Sequence, residues 1–425
     1  MPNINLSLPR SWQQLTTEQL EAVARIFIDA ARNYTLTGQY SDIDILTRAF
    51  FTLSGLEVIS LPKHDDLTPV PDDSSSVSAD ADEDPSHTYY VCQFADAKVR
   101  EQRQTINGQI VPIHIYLSEI MAMAVGSIDQ KAIEAYLKEL ARHYKRLDAG
   151  KQSDEPKPPT PIGPLSWLFT PSTVLVFPYP TITLPDPKAP KPKRSVLGGA
   201  SSKLSTVTLT APDELMQNVK WQQYRFLTDY MTFLTQCENQ LVSLQKQLAK
   251  AVAKQAKLAA KSKNPSMRPD AHMEQLTNQI AEQQVLVNDM RSQFLATLFN
   301  RPVKHINPET GLAETTPHFV TTQSQDNAYL FKDFPEEKFQ TISFWWQGMM
   351  LYLKKHFPKV FRREKPGKAG SDDNPFTLYT RSTTTMIKYA AANEEEVNNT
   401  TYTIILQHIN DMADENDRIE EMKKK

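Results

Sequence analysis

Between Asp213 and Asn300, apolar residues recur at alternating steps of three and four. Leu227, Tyr230, Leu234, Cys237, Leu241, Leu244, Leu248 and Ala251 form one seam, and Leu276, Ile280, Gln283, Val287, Met290 and Phe294 form a second. The breaker Asn264-Pro265-Ser266-Met267-Arg268-Pro269 separates them. Such a seam lies along one stripe of an α-helix and is buried against another helix. The pattern therefore predicts a long antiparallel helical hairpin of coiled-coil type over 206–300. Trp221, Tyr224, Phe226, Tyr230 and Phe233 crowd its base, with Phe294, Leu295, Leu298 and Phe299 on the return, whereas Ala249, Ala251, Ala253, Ala256, Ala259 and Ala260 populate the far end. Bulky residues predict packing into a body, and small ones predict a projecting tip. An outgoing helix of ~50 residues would be about 75 Å long and a return of ~30 residues about 45 Å, so roughly the first 20 outgoing residues are expected to pack on something else.

The rest of the chain reads as mainly α, with a small sheet in its first third. Thr16 and Gln19 form a capping-box pattern opening a helix to Arg32, and a second helix from Ser41 stops at Gly55. The period then changes toward strand at Val58 and Ile59, over Thr88 to Phe94, and over Gln104 to Leu117, which is interrupted by the turn dipeptide Asn107-Gly108. Pro112 suits an edge strand or a bulge. Residues 65–87 are acidic and serine-rich with almost no large apolar residue, which predicts a disordered loop. Ser127 and Gln130 open a further helix through Ile133, Leu137, Leu140, Tyr144 and Leu147. Of the 29 prolines, 12 fall between Pro156 and Pro192, around an apolar stretch with Trp167, Leu168, Phe169, Val174, Leu175, Val176 and Phe177, which predicts an extended strap with free linkers at either end.

After an irregular stretch from Arg301 to Lys332, Pro335 at a first helical position followed by Glu336 and Glu337 starts a helix to Phe357. It is apolar nearly all round, the mark of a central core helix. A basic loop over 362–370 and a helix over 375–391 follow. Asn393 with Glu396 then caps a last helix on which Tyr402, Ile405, Ile409, Met412 and Ile419 hold a heptad, with Asn416 at a seam position. These signals divide the chain into an α+β part over 1–150, a proline-rich strap over 151–205, the hairpin over 206–300 and a helical part over 301–425.

Composition narrows the chemistry. A net charge of -3 over 425 residues gives no global bias toward nucleic acid or anionic membrane. Only 12 glycines are present, which counts against folds whose sites sit in glycine-rich loops. Cys92 and Cys237 are too few for a disulfide framework or an all-cysteine zinc site. No metal, nucleophile or phosphate motif stands at meaningful spacing, so neither an enzyme nor a cofactor is predicted. The most apolar window, Phe339 to Leu353, is 15 residues long and holds Gln340 and Gln347, whereas a spanning helix needs ~20 apolar residues. No membrane segment or signal peptide is predicted, and a reducing cytoplasm is the expected home.

Candidate function therefore lies in helical surfaces. Lys246, Lys250, Lys254, Lys257 and Lys261 fall within one helical face of the hairpin, and no acidic residue occurs from Asn239 to Pro269. That face either docks an acidic partner or nucleic acid, or is a solvated stripe partly neutralised by Glu274, Glu282 and Asp289 on the return helix. Absent interleaved aromatics favour the second reading and disfavour nucleic acid. The candidate partner-binding residues are Leu241, Leu244 and Leu248 of the seam, these five lysines, and Ile405, Ile409 and Met412 of the C-terminal heptad, which could pair with a partner helix or with another copy of the chain.

Leu15-Thr16-Thr17-Glu18-Gln19-Leu20, Trp221-Gln222-Gln223-Tyr224, the aromatic helix from Ile342 ending Phe357-Pro358-Lys359-Val360-Phe361, and the terminal helix pair occur in this order. In that order the chain resembles a family of proteins encoded in tail-gene clusters of Mu-like temperate phages and prophages of gut bacteria. The acidic loop, the strap and the long hairpin lie outside the resemblance. It implies a non-enzymatic, cytoplasmic tail-assembly protein that engages a tape-measure or tail-tube protein. A structural tail component using the hairpin as a spacer, and a nucleic-acid-binding or regulatory scaffold using the lysine face, are the alternatives.

Overall fold

The computed structural model describes residues 6, 8–37, 42–60, 63–64, 88–106, 109–125, 164–188, 206–261, 271–306, 313–317, 319, 321–361, 383–384, 386–387 and 393–424. It is mainly helical, with a small antiparallel sheet in the N-terminal part. The chain forms two compact units, Met1–Thr173 and Val174–Lys425, whose boundary falls inside the proline-rich strap. The predicted loop over 65–87, the helix from Ser127, the linkers over 151–163 and 189–205, and the basic loop over 362–370 lie outside the described residues, as does most of the helix predicted over 375–391.

In the first unit α1 (Thr17–Thr37) opens with the expected box: the Thr16 amide donates to Gln19 Oε1 at 3.1 Å and the Gln19 amide to Thr16 Oγ1 at 3.2 Å. Helix α2 (Asp42–Ser54) stops at Gly55, whose φ of +69° is the left-handed turn that glycine adopts freely. Strands β1 (Leu56–Val58) and β2 (Lys63–His64) lie along one edge of β3 (Thr88–Phe94), and β6 (Ile113–Tyr116) lies along the other. Strands do form within the run expected over Gln104 to Leu117, and only its two ends are corrected. Residues Ala97–Gln104 form α3, capped by Asp96, and only β4 (Thr105–Ile106) and β5 (Gln109–Ile110) flank the turn, while Leu117 already begins α4 (Leu117–Val125). Gln104 is the reason: its fully buried amide accepts from the Phe94 amide at 2.8 Å and donates to the Val111 carbonyl at 3.0 Å, fixing a helix end beneath the sheet. The strap joins this core through Trp167, which meets Trp12 edge-on at 5.1 Å and donates to the Pro9 carbonyl.

The second unit begins with the strap's remainder. Residues of β7 (Thr181–Pro185) pair antiparallel with β8 (Thr206–Thr210), a strand the sequence pattern did not reveal. Helices α5 (Trp221–Lys261) and α6 (Ala271–Leu298) are the long pair. Where irregular chain was expected, β9 (Pro302–Ile306) and β10 (Ala313–Pro317) form a hairpin followed by α7 (Thr321–Asn327). Helix α8 (Glu336–His356) is the core helix, with Pro335 as its N-cap rather than its first helical residue. Trp345 at its centre is almost wholly buried, donates to the Leu175 carbonyl at 3.1 Å and takes the Phe177 ring edge-on at 4.6 Å. The last predicted helix is two. Asn393 and Glu396 do form a capping box, but on the short α9 (Glu394–Asn399), and α10 (Tyr402–Lys424) starts afresh. Thr400 and Thr401 break them apart, because the Thr400 carbonyl accepts from the Trp221 amide and the Tyr402 amide donates to the Val219 carbonyl.

Candidate partner-binding surface

Hydrogen bonds fix how the two long helices align. Gln223 Nε2 donates to the Thr297 carbonyl at 2.9 Å near the base, and Gln283 Nε2 donates to the Cys237 carbonyl at 3.1 Å farther out. Each step forward on α5 is thus a step back on α6, and Ala271, the first residue of α6, falls opposite about Ala249 at one residue of α5 for each residue of α6. The expectation that the first outgoing residues pack elsewhere is therefore reversed. Helix α5 starts only at Trp221, level with the end of α6, so the surplus lies at the far end. About 12 residues, roughly 18 Å of helix at 1.5 Å per residue, run past the start of α6.

The predicted residues divide along this alignment. Leu241 is buried at 8% exposure and Leu244 and Leu248 are half-buried, occupying the seam that faces α6. Lys246 is half-buried, and Lys250 and Lys254 are exposed. Lys250, Lys254, Lys257 and Lys261 all sit on the overhang. In the same register Glu274 stands level with about Lys246, Glu282 with about Glu238 and Asp289 with about Met231. The return helix thus sets no carboxylate level with the overhang, and among the described residues Lys250 and Lys254 make no ion pair. The neutralised reading of the stripe is confined to its inner end.

The flanks of the pair differ. Arg291, one residue after seam residue Met290, donates to Glu238, one residue after Cys237, at 2.8 Å. Arg291 also faces Glu336 at 3.5 Å and lies over the Phe339 ring, so this flank is turned to α8. Positions that precede seam residues lie on the opposite flank. There Phe226 meets Phe319 near the base, but one heptad farther out Phe233 is 54% exposed. Leu286, which precedes Val287 on α6 and stands level with Phe233, is 49% exposed, and neighbouring Val285 is 66% exposed. Phe233, expected with the bulky base residues to pack into a body, is thereby corrected, whereas Val285 and Leu286 lie outside the predicted seam and carry no expectation. Their signal was a large apolar side chain immediately before a seam leucine or valine at matching heights.

On α10, Ile405 is buried at 1%, while Ile409 and Met412 are half-buried and Ile419 reaches 36% exposure. Asn416, expected in the seam, is exposed. The buried asparagine is Asn410, whose carbonyl oxygen accepts from the Lys359 amide at 3.1 Å, and the Lys359 ammonium reaches Asp414 and Asp417. The first turns of α10 thus serve the body, and its last turns are open.

Among the described residues no group of three or more histidine, cysteine, aspartate or glutamate side chains is placed to hold a metal ion. Burial pushes the Cys92 thiol up to about 12, and burial also raises Asp229 above the usual carboxylate range despite Arg225 at 3.4 Å. A shallow cleft between α6 and the start of α8 is lined by Asn288, Arg291, Phe331 and Phe339, and Glu238 and Glu336 already engage its arginine. Among the described residues no helix is long and apolar enough to cross a membrane. Comparison of the chain with protein families, with curated proteins and with solved structures finds no match.

Proposed function

We propose that this chain is a non-enzymatic assembly protein that holds a helical partner along its hairpin. The resemblance set out above makes that partner a tape-measure or tail-tube protein of a Mu-like phage, met in the cytoplasm of the bacterial host. The observation that carries the reading is the combination of a hairpin rooted at one end in a packed aromatic core with large apolar side chains exposed partway along it. Burying a Phe or Leu is worth ~1.5–3 kcal/mol, so a cluster left in water at a defined height is a surface that gains by being covered. Amphipathic helices of an unassembled tail protein carry apolar stripes that need such cover, and helix-in-groove contacts supply it.

Co-expression of the tagged chain with the products of its neighbouring genes, followed by purification and light scattering, tests this reading. The expected outcome is a discrete soluble complex with one long helical protein, and absence of the chain from purified particles. Persistence at fixed stoichiometry in the particle would instead make the hairpin, about 60 Å long at 1.5 Å per residue, a structural spacer.

A further inference from the structure

We infer that the open flank of the hairpin takes a single amphipathic protein helix, apolar where it meets Phe233, Val285 and Leu286 and acidic where it meets the lysines of the overhang. This rests on the reading that the hairpin binds a helical partner, and it specifies that partner's chemistry. Phe233 on α5 and Leu286 on α6 precede the seam residues Leu234 and Val287, the exposed Gln240 and Gln247 precede Leu241 and Leu248, and Lys254 and Lys261 precede the positions that continue the seam, so this flank of α5 runs from apolar through neutral polar to basic. From Phe233 to Lys261 the flank spans about 42 Å, the length of a helix of ~28 residues.

Three features select a protein helix over a nucleic acid. The basic stretch is one helix wide and lies about 25 Å farther along a hairpin that also exposes Phe233, Val285 and Leu286, a combination that a phosphate backbone does not match. All five cations on α5 from Lys246 to Lys261 are lysines, with no arginine fork to hold phosphate in a bidentate manner. The chain as a whole carries a net charge of -3, which repels a polyanion approaching the body while leaving a local contact at the overhang favourable. Lysines beside an apolar seam are, in contrast, the arrangement by which helices choose acidic partners in register.

The test uses the full chain and three labelled probes followed by fluorescence anisotropy. One probe is a synthetic amphipathic helix with leucines along one half and glutamates along the other. The second is the same peptide with lysine in place of each glutamate, and the third is a short DNA duplex. The acidic peptide is expected to bind, and to weaken by about tenfold or more between low and physiological salt. The variants Phe233→Ser with Leu286→Ser, and Lys250→Glu with Lys254→Glu, Lys257→Glu and Lys261→Glu, should each weaken it by a similar factor while retaining the helical circular dichroism of the parent. Failure of the acidic peptide to bind, equal binding of the lysine peptide, tighter binding of the duplex, or indifference to both sets of substitutions overturns the inference. Partner capture that survives both variants but is lost when the hairpin is shortened would overturn this inference and leave the proposed function standing. Capture that survives shortening would overturn the proposed function itself.

Discussion

At Gly348 the core helix and the strap touch through their backbones, since a Cβ there would run into the Val174 carbonyl. Gly348→Ala must push the strap away or bend α8, and overpacking of this kind costs about 1–3 kcal/mol, read as a lower urea midpoint with an unchanged slope. Nothing in the sequence marks this, because a glycine inside a helical pattern reads as a mild weakness rather than as a contact. The capping boxes at Thr16 and Asn393 were legible for the opposite reason, being local pairs three residues apart. Asn393→Ala should lose the bond to the Glu396 amide, about 1 kcal/mol, measured by thermal unfolding. Cys92 carries a pH consequence. Burial raises its thiol from 9.0 to about 12, so its contribution to stability is whole below about pH 9 and is lost as the pH rises toward 12. Burial also raises the buried hydroxyls of Tyr224 and Tyr402, which act in the same direction above pH 10.0. The urea midpoint should therefore fall on titration from about pH 8 to about pH 11, and less steeply in Cys92→Ala. An equal slope would show that the thiol is not held neutral.

Among the elements, the long helices were legible because a seam of eight residues repeats one spacing over seven turns' worth of chain, whereas β8, β9 and β10 are each five residues long and carry no comparable repeat. The direction of the overhang was not legible, since periodicity gives the seam of each helix but not their alignment. The two glutamine bonds supply it. Gln283 sits buried in the seam and donates to a carbonyl within α5, so Gln283→Leu leaves a helical carbonyl still served by its own helix and adds apolar burial. The expected result is a hairpin as stable as before or more stable by about 1 kcal/mol, read by thermal melting. A loss of that size would instead mean that the glutamine holds the alignment together. The seam leucines also change meaning at this scale: with Leu241 buried against α6, Leu241→Asp would unfold the hairpin, so a binding test belongs on the outer flank at Phe233 and Leu286.

At the scale of the whole molecule, the second unit is a folded body bearing a hairpin, and the proposed function has that hairpin bind another protein. Its base is tied in three ways, through the Trp221 and Tyr402 amides at the start of α5 and α10, the pairing of Thr210 with Asn300, and the aromatic contacts of Phe294 and Phe299. None of these reaches the far end, so the hairpin can be shortened without touching the core. Tyr230 stands level with about Met290, and joining α5 to α6 by a short Gly-Ser turn at that height removes the exposed Phe233, Val285 and Leu286, the overhang and the lysines together. The decisive measurement compares partner capture by the intact and the shortened chains, expressed with the neighbouring gene products and sized by light scattering. The account predicts a shortened chain with native aromatic circular dichroism that no longer forms the complex. A shortened chain that is equally folded and still captures the same partner at the same stoichiometry would contradict it.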